Sequence, residues 1–349
     1  MNKVQQYSFF EENEQATDLN EGVFCAPKIR GIRNQTLSLT AAESKKYLDM
    51  CIAGSDLQKA KKDILKNSVI YGDSFEVLKK LPDEFVDLLI VDPPYNLTKE
   101  YGLSYFEKIS DAEYAEYTKK WIEAVIHCLK PNASIYVCCD WKSSLVVGSV
   151  LQEYFYIQNR ITWQREKGRG AKSNWKNSME DIWFATVSKN NFTFNVDDVK
   201  MRRKVIAPYK VDGKPKDWVE SANGNYRDMC PSNFWDDISV PYWSMPENTA
   251  HPTQKPEKLI AKIILASSNE GDFVFDPFIG SGTSAVVASK LGRAYSGIEC
   301  EKEYCAVAQK RLELSKNCKG IQGYCDGVFW ERNSLAEQNK FKKNKDKKT

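Results

Sequence analysis

Histidine is almost missing from this sequence: among 349 residues only His127 and His251 occur. The commonest metal ligand and general base is therefore scarce. The ten cysteines form no C-x-x-C pair, and Cys300, Cys305, Cys318 and Cys325 cluster without zinc-ligand spacing. No metal site is expected, and cysteines in apolar runs such as Ile135-Tyr136-Val137-Cys138-Cys139 read as small core residues rather than a disulfide scaffold. No apolar run approaches the ~20 residues that span a bilayer. The opening Met1-Asn2-Lys3-Val4-Gln5-Gln6-Tyr7 lacks the apolar stretch of a secretion signal. A soluble, cytoplasmic protein with no membrane partner is expected. The net charge of +3 is too small to indicate a polyanionic partner, so the distribution of charge matters more.

What is present concentrates in Asp92-Pro93-Pro94-Tyr95. The preceding Val86-Asp87-Leu88-Leu89-Ile90-Val91 is a short apolar run without helical period, which reads as a buried strand. A carboxylate, two prolines and an aromatic ring thus follow a strand's carboxyl end, where open α/β sheets place their ligands. The prolines fix φ and remove two backbone donors, leaving carbonyls free. That set suits a flat heterocycle bearing an amino group: the ring stacks, and carboxylate and carbonyl accept its N–H bonds.

Along the chain, strands alternate with helices, which predicts an α/β fold with a mostly parallel sheet covered on both faces. Residues 1–66 read as a polar N-terminal extension with no clear period over 11–34 and one helix over 40–66, opened by the cap-like Thr40-Ala41-Ala42-Glu43. Residues 67–330 read as the catalytic domain. Within it, 165–250 is an inserted region of different character and 251–315 a second ligand-binding part. The lysine-rich 331–349 reads as a disordered basic tail. The insert carries Arg165, Lys167, Arg169, Lys172, Arg202, Arg203 and Lys204 with Tyr209, Trp218, Tyr226, Phe234 and Trp235 interspersed. It also holds strand candidates over 181–187 and 192–196. Such a surface suits tracking phosphates and stacking on bases; ordinary solvated loops are the plain alternative.

A second site lies at Asp276-Pro277-Phe278-Ile279-Gly280-Ser281-Gly282-Thr283, a strand-to-helix turn, with Glu299 ending the next strand. Glycines admit a ligand close to the backbone, and the strand-end carboxylate can accept ribose hydroxyls. A dinucleotide or an adenosyl group such as S-adenosylmethionine fits. No hydride-transfer constellation accompanies it, and no Gly-Lys-Ser/Thr follows the glycines as a nucleotide P-loop requires.

Together these segments resemble the amino-group DNA methyltransferases. The tetrad looks like their catalytic D-P-P-Y, and the segment from Asp276 to Thr283 resembles the methyl-donor loop D-P-F-x-G-S-G-T. His251-Pro252-Thr253-Gln254-Lys255-Pro256 resembles the H-P-T-x-K-P segment that precedes that loop in the permuted β group. The resemblance covers most of residues 67–315 and implies a Rossmann-like methyltransferase sheet with an inserted target-recognition region. It implies S-adenosylmethionine as donor, held by Asp73, Thr253, Lys255, Asp276, Phe278, Gly280, Gly282, Thr283 and Glu299. Asp92, Pro93, Pro94 and Tyr95 would be catalytic, with Tyr95 stacking on a base extruded from the duplex. His251 is read as structural or donor-adjacent.

The implied reaction is adenine-N6 methylation of a specific double-stranded DNA sequence, as part of a restriction–modification system. Cytosine-N4 methylation is the alternative, and protein glutamine methylation a more distant one. Cytosine carbon-5 chemistry is disfavoured because no Pro-Cys pair occurs. Expected partners are DNA, a cognate restriction endonuclease and a second copy of the chain, since dimers are common in the group.

Overall fold

The computed structural model describes residues 34–57, 61–101, 104–165, 173–205, 209–215, 218–221 and 224–339. Lys167, Arg169 and Lys172, residues 1–33 of the extension, and 340–349 of the tail lie outside the described residues. The chain divides into units 1–34 and 35–349, and the sheets and helices of the described residues belong to the second.

Nine strands build the central sheet: β1 Ile52–Ala53, β2 Ser68–Tyr71, β3 Val86–Val91, β4 Leu129–Asp140, β5 Tyr156–Gln164, β6 Met179–Thr186, β7 Phe234–Trp235, β8 Phe273–Asp276 and β9 Ala294–Glu299. Their order is β1-β2-β9-β8-β3-β4-β6-β5-β7. Every neighbouring pair is parallel except the two made by β6, which runs antiparallel to both β4 and β5. The helices are α1 Ala41–Leu48, α2 Lys62–Leu65, α3 Ser74–Leu78, α4 Asp111–Val125, α5 Ser143–Tyr154, α6 Glu257–Ser267, α7 Thr283–Lys290 and α8 Lys302–Ser315.

Strand alternation explains the layers. In β3, Leu88 and Ile90 face one core, which also holds Leu259 and Ile263 of α6, Val286 of α7 and Leu312 of α8. Leu89 and Val91 face the opposite core with Leu78 of α3, Trp121 of α4 and Val147 of α5. The mostly parallel α/β sheet with helices on both faces is the expected one. Among the described residues, no helix is long and apolar enough to cross a membrane.

Two local expectations change. Residues 40–66 are not one helix. The capping box between Thr40 and Glu43 starts α1 as anticipated, but α1 ends at Leu48 and the chain turns to pair Ile52 and Ala53 with Ile70 and Tyr71. A Cβ at Gly54 would lie 2.5 Å from the Val77 side chain, so the chain turns where only glycine fits between α3 and the sheet. Residues 192–196 form no strand. In contrast, Met179–Thr186, inside the span read as an insert, is an interior strand of the central sheet. Apolar residues of 181–187 suit that place, since both faces of β6 are covered. Phe234–Trp235 of the insert edges the central sheet, and other parts of it form a five-stranded sheet that joins Val219–Ser221, Gly224–Met229 and Met201–Lys204 to Val328–Trp330 and Tyr324–Cys325.

Candidate active site

Four strands of the parallel part end in carboxylates at one edge of the sheet: Asp92 follows β3, and Asp140, Asp276 and Glu299 close β4, β8 and β9. Asp73 follows β2 by two residues and caps α3, accepting the Glu76 N–H at 3.1 Å. Because β8 pairs directly with β3, the two motifs read separately in the sequence become neighbours. The Ser74 hydroxyl donates to the Pro277 carbonyl at 2.5 Å and fixes the loop after β8 to α3.

The loop after β8 is built around Gly280 and Gly282, with φ of +54° and +83°. At either position a Cβ would meet a neighbour: His251 Nε2 at 2.9 Å for Gly280, and the Ala308 Cβ at 2.6 Å for Gly282. Both glycines are therefore required by backbone conformation and by close approach. The Gly280 N–H donates to Glu299 Oε2 at 2.9 Å, and the Glu301 N–H to Oε1 at 2.8 Å. Asp276 accepts from the Ser284 hydroxyl at 2.6 Å and the Phe278 N–H at 3.0 Å. Burial pushes the carboxyls of both Asp276 and Glu299 up to about 7. Two buried carboxylates with no cationic partner in an ion pair among the described residues, beside a glycine cradle, fit a cationic ligand carrying hydroxyl donors. Arg311 braces the loop from behind, donating to the Ser281 carbonyl and the Thr283 hydroxyl at 2.9 Å each, while pairing with Glu257 at 3.2 Å.

His251 packs edge-on against Tyr304, with ring centroids 4.4 Å apart, and its Nδ1 accepts the Thr253 N–H at 3.3 Å. Burial, reinforced by the Lys255 charge, pushes it down to about 3, so it is a neutral packing element of the loop. Among the described residues no group of three His, Cys, Asp or Glu is placed to hold a metal.

At the tetrad, Asp92 is the more open member: its side chain is 20% exposed, against 7% for Lys255 and 5% for Glu180. The motif carrying Lys255 points to the donor side, but the ammonium instead spans Asp92, 2.7 Å from both carboxylate oxygens, and contacts the Tyr95 hydroxyl at 3.0 Å. Burial would lower Lys255, but Asp92 and Glu180 outweigh it and hold the amine protonated well above its ordinary range. The Tyr95 hydroxyl lies 3.0 Å from Asp92 and 3.2 Å from Glu180, with the ring buried. The Tyr114 hydroxyl donates to the Pro94 carbonyl at 3.0 Å, holding the Pro-Pro turn.

Glu180 is the site residue that sequence reasoning missed. It is the second residue of β6, opposite Asp140, and its charge is matched by Arg165 as well as Lys255. An antiparallel strand delivers its first residues to the edge where parallel strands deliver their last. The available signal was Glu180-Asp181 at the head of an otherwise apolar strand, since such charges are buried only with partners.

The expected nucleic-acid surface is partly reassigned. Arg165 is bonded to Glu180. Arg202 forms a bidentate pair with Asp228, both contacts 2.7 Å, and lies over the Trp330 ring. Arg203 binds Asp236 at 2.9 Å. Lys204 is exposed. Trp218, Tyr226 and Trp235 are buried, whereas Tyr209, Phe234 and the 94%-exposed Trp175 are open to solvent.

A family described as DNA methylase matches residues 86–310. The type II methyltransferase M.HpaI of Haemophilus parainfluenzae is 36% identical over 251 residues, covering 71% of this chain and 75% of that protein. DNA adenine methyltransferase YhdJ of Escherichia coli (strain K12) is 34% identical over 255 residues, covering 72% and 84%. Among solved structures, the cytosine-N4-specific PvuII DNA methyltransferase superposes with a TM-score of 0.53 at 20% identity, over 72% of this chain and 90% of that one, a likeness of fold.

Proposed function

This chain belongs to the DNA methylase family, and from that premise we propose that it methylates the N6 amine of adenine within a specific sequence of double-stranded DNA. S-adenosylmethionine is the donor. The observation that carries the reading is the adjacency of Asp92 and the Gly280–Gly282 cradle on paired strands β3 and β8. A relative named as a DNA adenine methyltransferase supports the choice of base, and relatives named as type II methyltransferases support a restriction–modification role; a cytoplasmic place and a cognate restriction endonuclease complete the reading. A second copy of the chain completes the proposed partners. Mass analysis of nucleosides from DNA of a host expressing the chain tests it: N6-methyladenine is expected, and N4-methylcytosine alone would overturn the choice.

The donor, when bound, supplies an electrophilic methyl group on sulfur. Asp276, Phe278, Gly280, Gly282, Thr283 and Glu299 would hold it, with Asp73 on the adenine side and Thr253 nearby. The chain's remaining task is to make the acceptor amine nucleophilic, because its lone pair is delocalised into the base. Asp92 and the Pro93 carbonyl accept its N–H bonds, favour a pyramidal nitrogen and strengthen as positive charge develops. Tyr95 and the Pro-Pro turn fix the base plane, and alignment with the donor is a proximity effect. The base must leave the duplex stack to reach them.

Donor binding should depend on pH. A folded carboxyl raised to about 7 favours the fold below the unfolded carboxylate range, and this contribution fades as pH rises through about 7. A donor that needs Glu299 ionised therefore binds more tightly as pH rises, by about tenfold between pH 6 and 8 for one such group. Titration calorimetry in buffers of different ionisation heat should detect the released proton, and Glu299→Gln should flatten the slope.

For DNA, we assign the phosphate-tracking role to Lys204 in preference to Arg202. Lys204→Ala is expected to reduce the slope of log K against log salt by about 1. Arg202→Ala should leave that slope within half a unit and lower the melting temperature, because its guanidinium binds Asp228. Fluorescence anisotropy over a salt series reads both.

A further inference from the structure

Lys255 occupies the atoms that the acceptor amine needs. Its ammonium has three N–H donors, and three acceptors lie within 3.0 Å of it: Asp92 Oδ1, Asp92 Oδ2 and the Tyr95 hydroxyl. An entering amine must share an Asp92 oxygen with the ammonium or displace it from one, and only displacement leaves an oxygen whose charge is not already engaged by a cation. A buried ammonium N–H cannot be left unmatched, so the release needs another acceptor within reach. Glu180 Oε2 stands 3.5 Å away, close enough for a small rotation of the lysine's last torsion to complete the bond. Arg165 holds the other oxygen, Oε1, and fixes the carboxylate in place. The Tyr95 hydroxyl lies between the two carboxylates, in reach of both.

We propose that Glu180 is a positioning residue that receives Lys255 when the target base enters, clearing one oxygen of Asp92 for the amine. Glu180 does not touch the base. It acts through Lys255, giving the cation a second carboxylate away from the nitrogen on which positive charge develops. The inference rests on the methyltransferase reading, and Glu180 gains a role there that no motif supplies.

The test is a double-mutant cycle read at equilibrium, so that it does not require turnover. The recognition sequence is first taken from the modified bases of a host expressing the wild-type chain. Absence of any DNA methylation there would defeat the functional reading itself. A duplex with 2-aminopurine at the target position then reports base extrusion by fluorescence, in the presence of S-adenosylhomocysteine. Glu180→Gln is expected to lower the extruded-base signal about tenfold while duplex affinity stays within about threefold. In the Lys255→Gln background the same change should alter the signal less than about twofold, because no ammonium remains to be received. Single-turnover methylation by the single Glu180 variant should fall in parallel, with KM for DNA and donor unchanged. An equal loss in both backgrounds, or a wild-type signal in Glu180→Gln, would overturn the proposal. Circular dichroism and donor binding check the fold. If the Gln variant does not fold, Glu180→Asp runs the same cycle: it keeps a carboxylate near Arg165 but draws it away from Lys255.

Discussion

Asp92→Ala is expected to retain donor and DNA binding and to lose methyl transfer by about 10³-fold or more, the scale set by removing a transition-state hydrogen bond. The Gly280–Gly282 cradle is held by hydrogen bonds to Glu299, Asp276 and Arg311, none of which involves Asp92, although the Asp92 charge does help to push the Asp276 carboxyl up. Loss of Asp92 does deprive Lys255 of its principal partner, and breaking a buried pair costs about 3–5 kcal/mol when nothing replaces it. Glu180, 3.5 Å from the same ammonium, moderates that cost, so the variant should fold with a lowered melting temperature. Asp92→Asn separates the two effects. It preserves shape and one acceptor oxygen but removes the charge, and should still lose at least about 10²-fold. Single-turnover transfer of labelled methyl measures the chemical step, and filter binding measures DNA affinity. Turnover within tenfold of wild type in the alanine variant would remove Asp92 from the chemistry.

The parts of this site legible in the sequence are those made by adjacent residues. Asp92-Pro93-Pro94-Tyr95 and the segment from Asp276 to Thr283 each carry their strand, turn and carboxylate within a few positions, so local pattern places them at a sheet edge. Their adjacency is not in the pattern itself; it arises from the pairing of β8 with β3. The motif of Lys255 precedes the donor loop and so suggests the donor side, yet the long side chain crosses to Asp92, 163 positions away in sequence. The charge of Glu180 in an apolar strand is visible locally, but its place in the site depends on non-local information. It reaches the edge only because β6 inserts in reverse between β4 and β5, and no periodicity within 179–186 reports strand direction.

Composition alone does not sort the residues of the insert, for a related reason. Basic and aromatic residues interleave there as they would on a nucleic-acid surface, but Trp218, Tyr226 and Trp235 are buried, and Arg202 and Arg203 bind Asp228 and Asp236. An aromatic residue serves packing or stacking according to which face of a strand it occupies. For Tyr226 that is fixed by the register with Met201–Lys204, and for Trp235 by its pairing with Trp163, not by the residue type. The same limit explains residues 40–66, where helix-compatible residues surround Gly54 and the outcome turned on how closely α3 approaches the sheet.

Gly282→Val should abolish useful donor binding while leaving most of the fold intact. Gly282 caps α7 with φ of +83°, a conformation that costs a β-branched residue about 1–2 kcal/mol. Its Cβ would also lie 2.6 Å from the Ala308 Cβ and 3.0 Å from the Ala308 Cα, so the obstruction includes the backbone of α8 and cannot rotate away. Overpacking of that kind costs a further ~1–3 kcal/mol. The loop can relieve it only by moving off α8, which would draw Ser284 away from Asp276 and Gly280 away from Glu299, the two hydrogen bonds that shape the cradle. If the strain is released in that way, the bound form must restore the geometry at the donor's expense. A penalty of about 2–5 kcal/mol corresponds to a loss of roughly 30- to several-thousand-fold in affinity. Gly271→Val separates backbone strain from pocket damage: its φ of +85° is equally unfavourable, but a Cβ there meets nothing within 4 Å. Calorimetric titration with donor should find Gly271→Val near wild-type affinity despite a lower melting temperature, and Gly282→Val weakened by about 30-fold or more. Equal donor affinity in the two variants would mean that the cradle's shape, and not only its carboxylates, had been assigned to the wrong place.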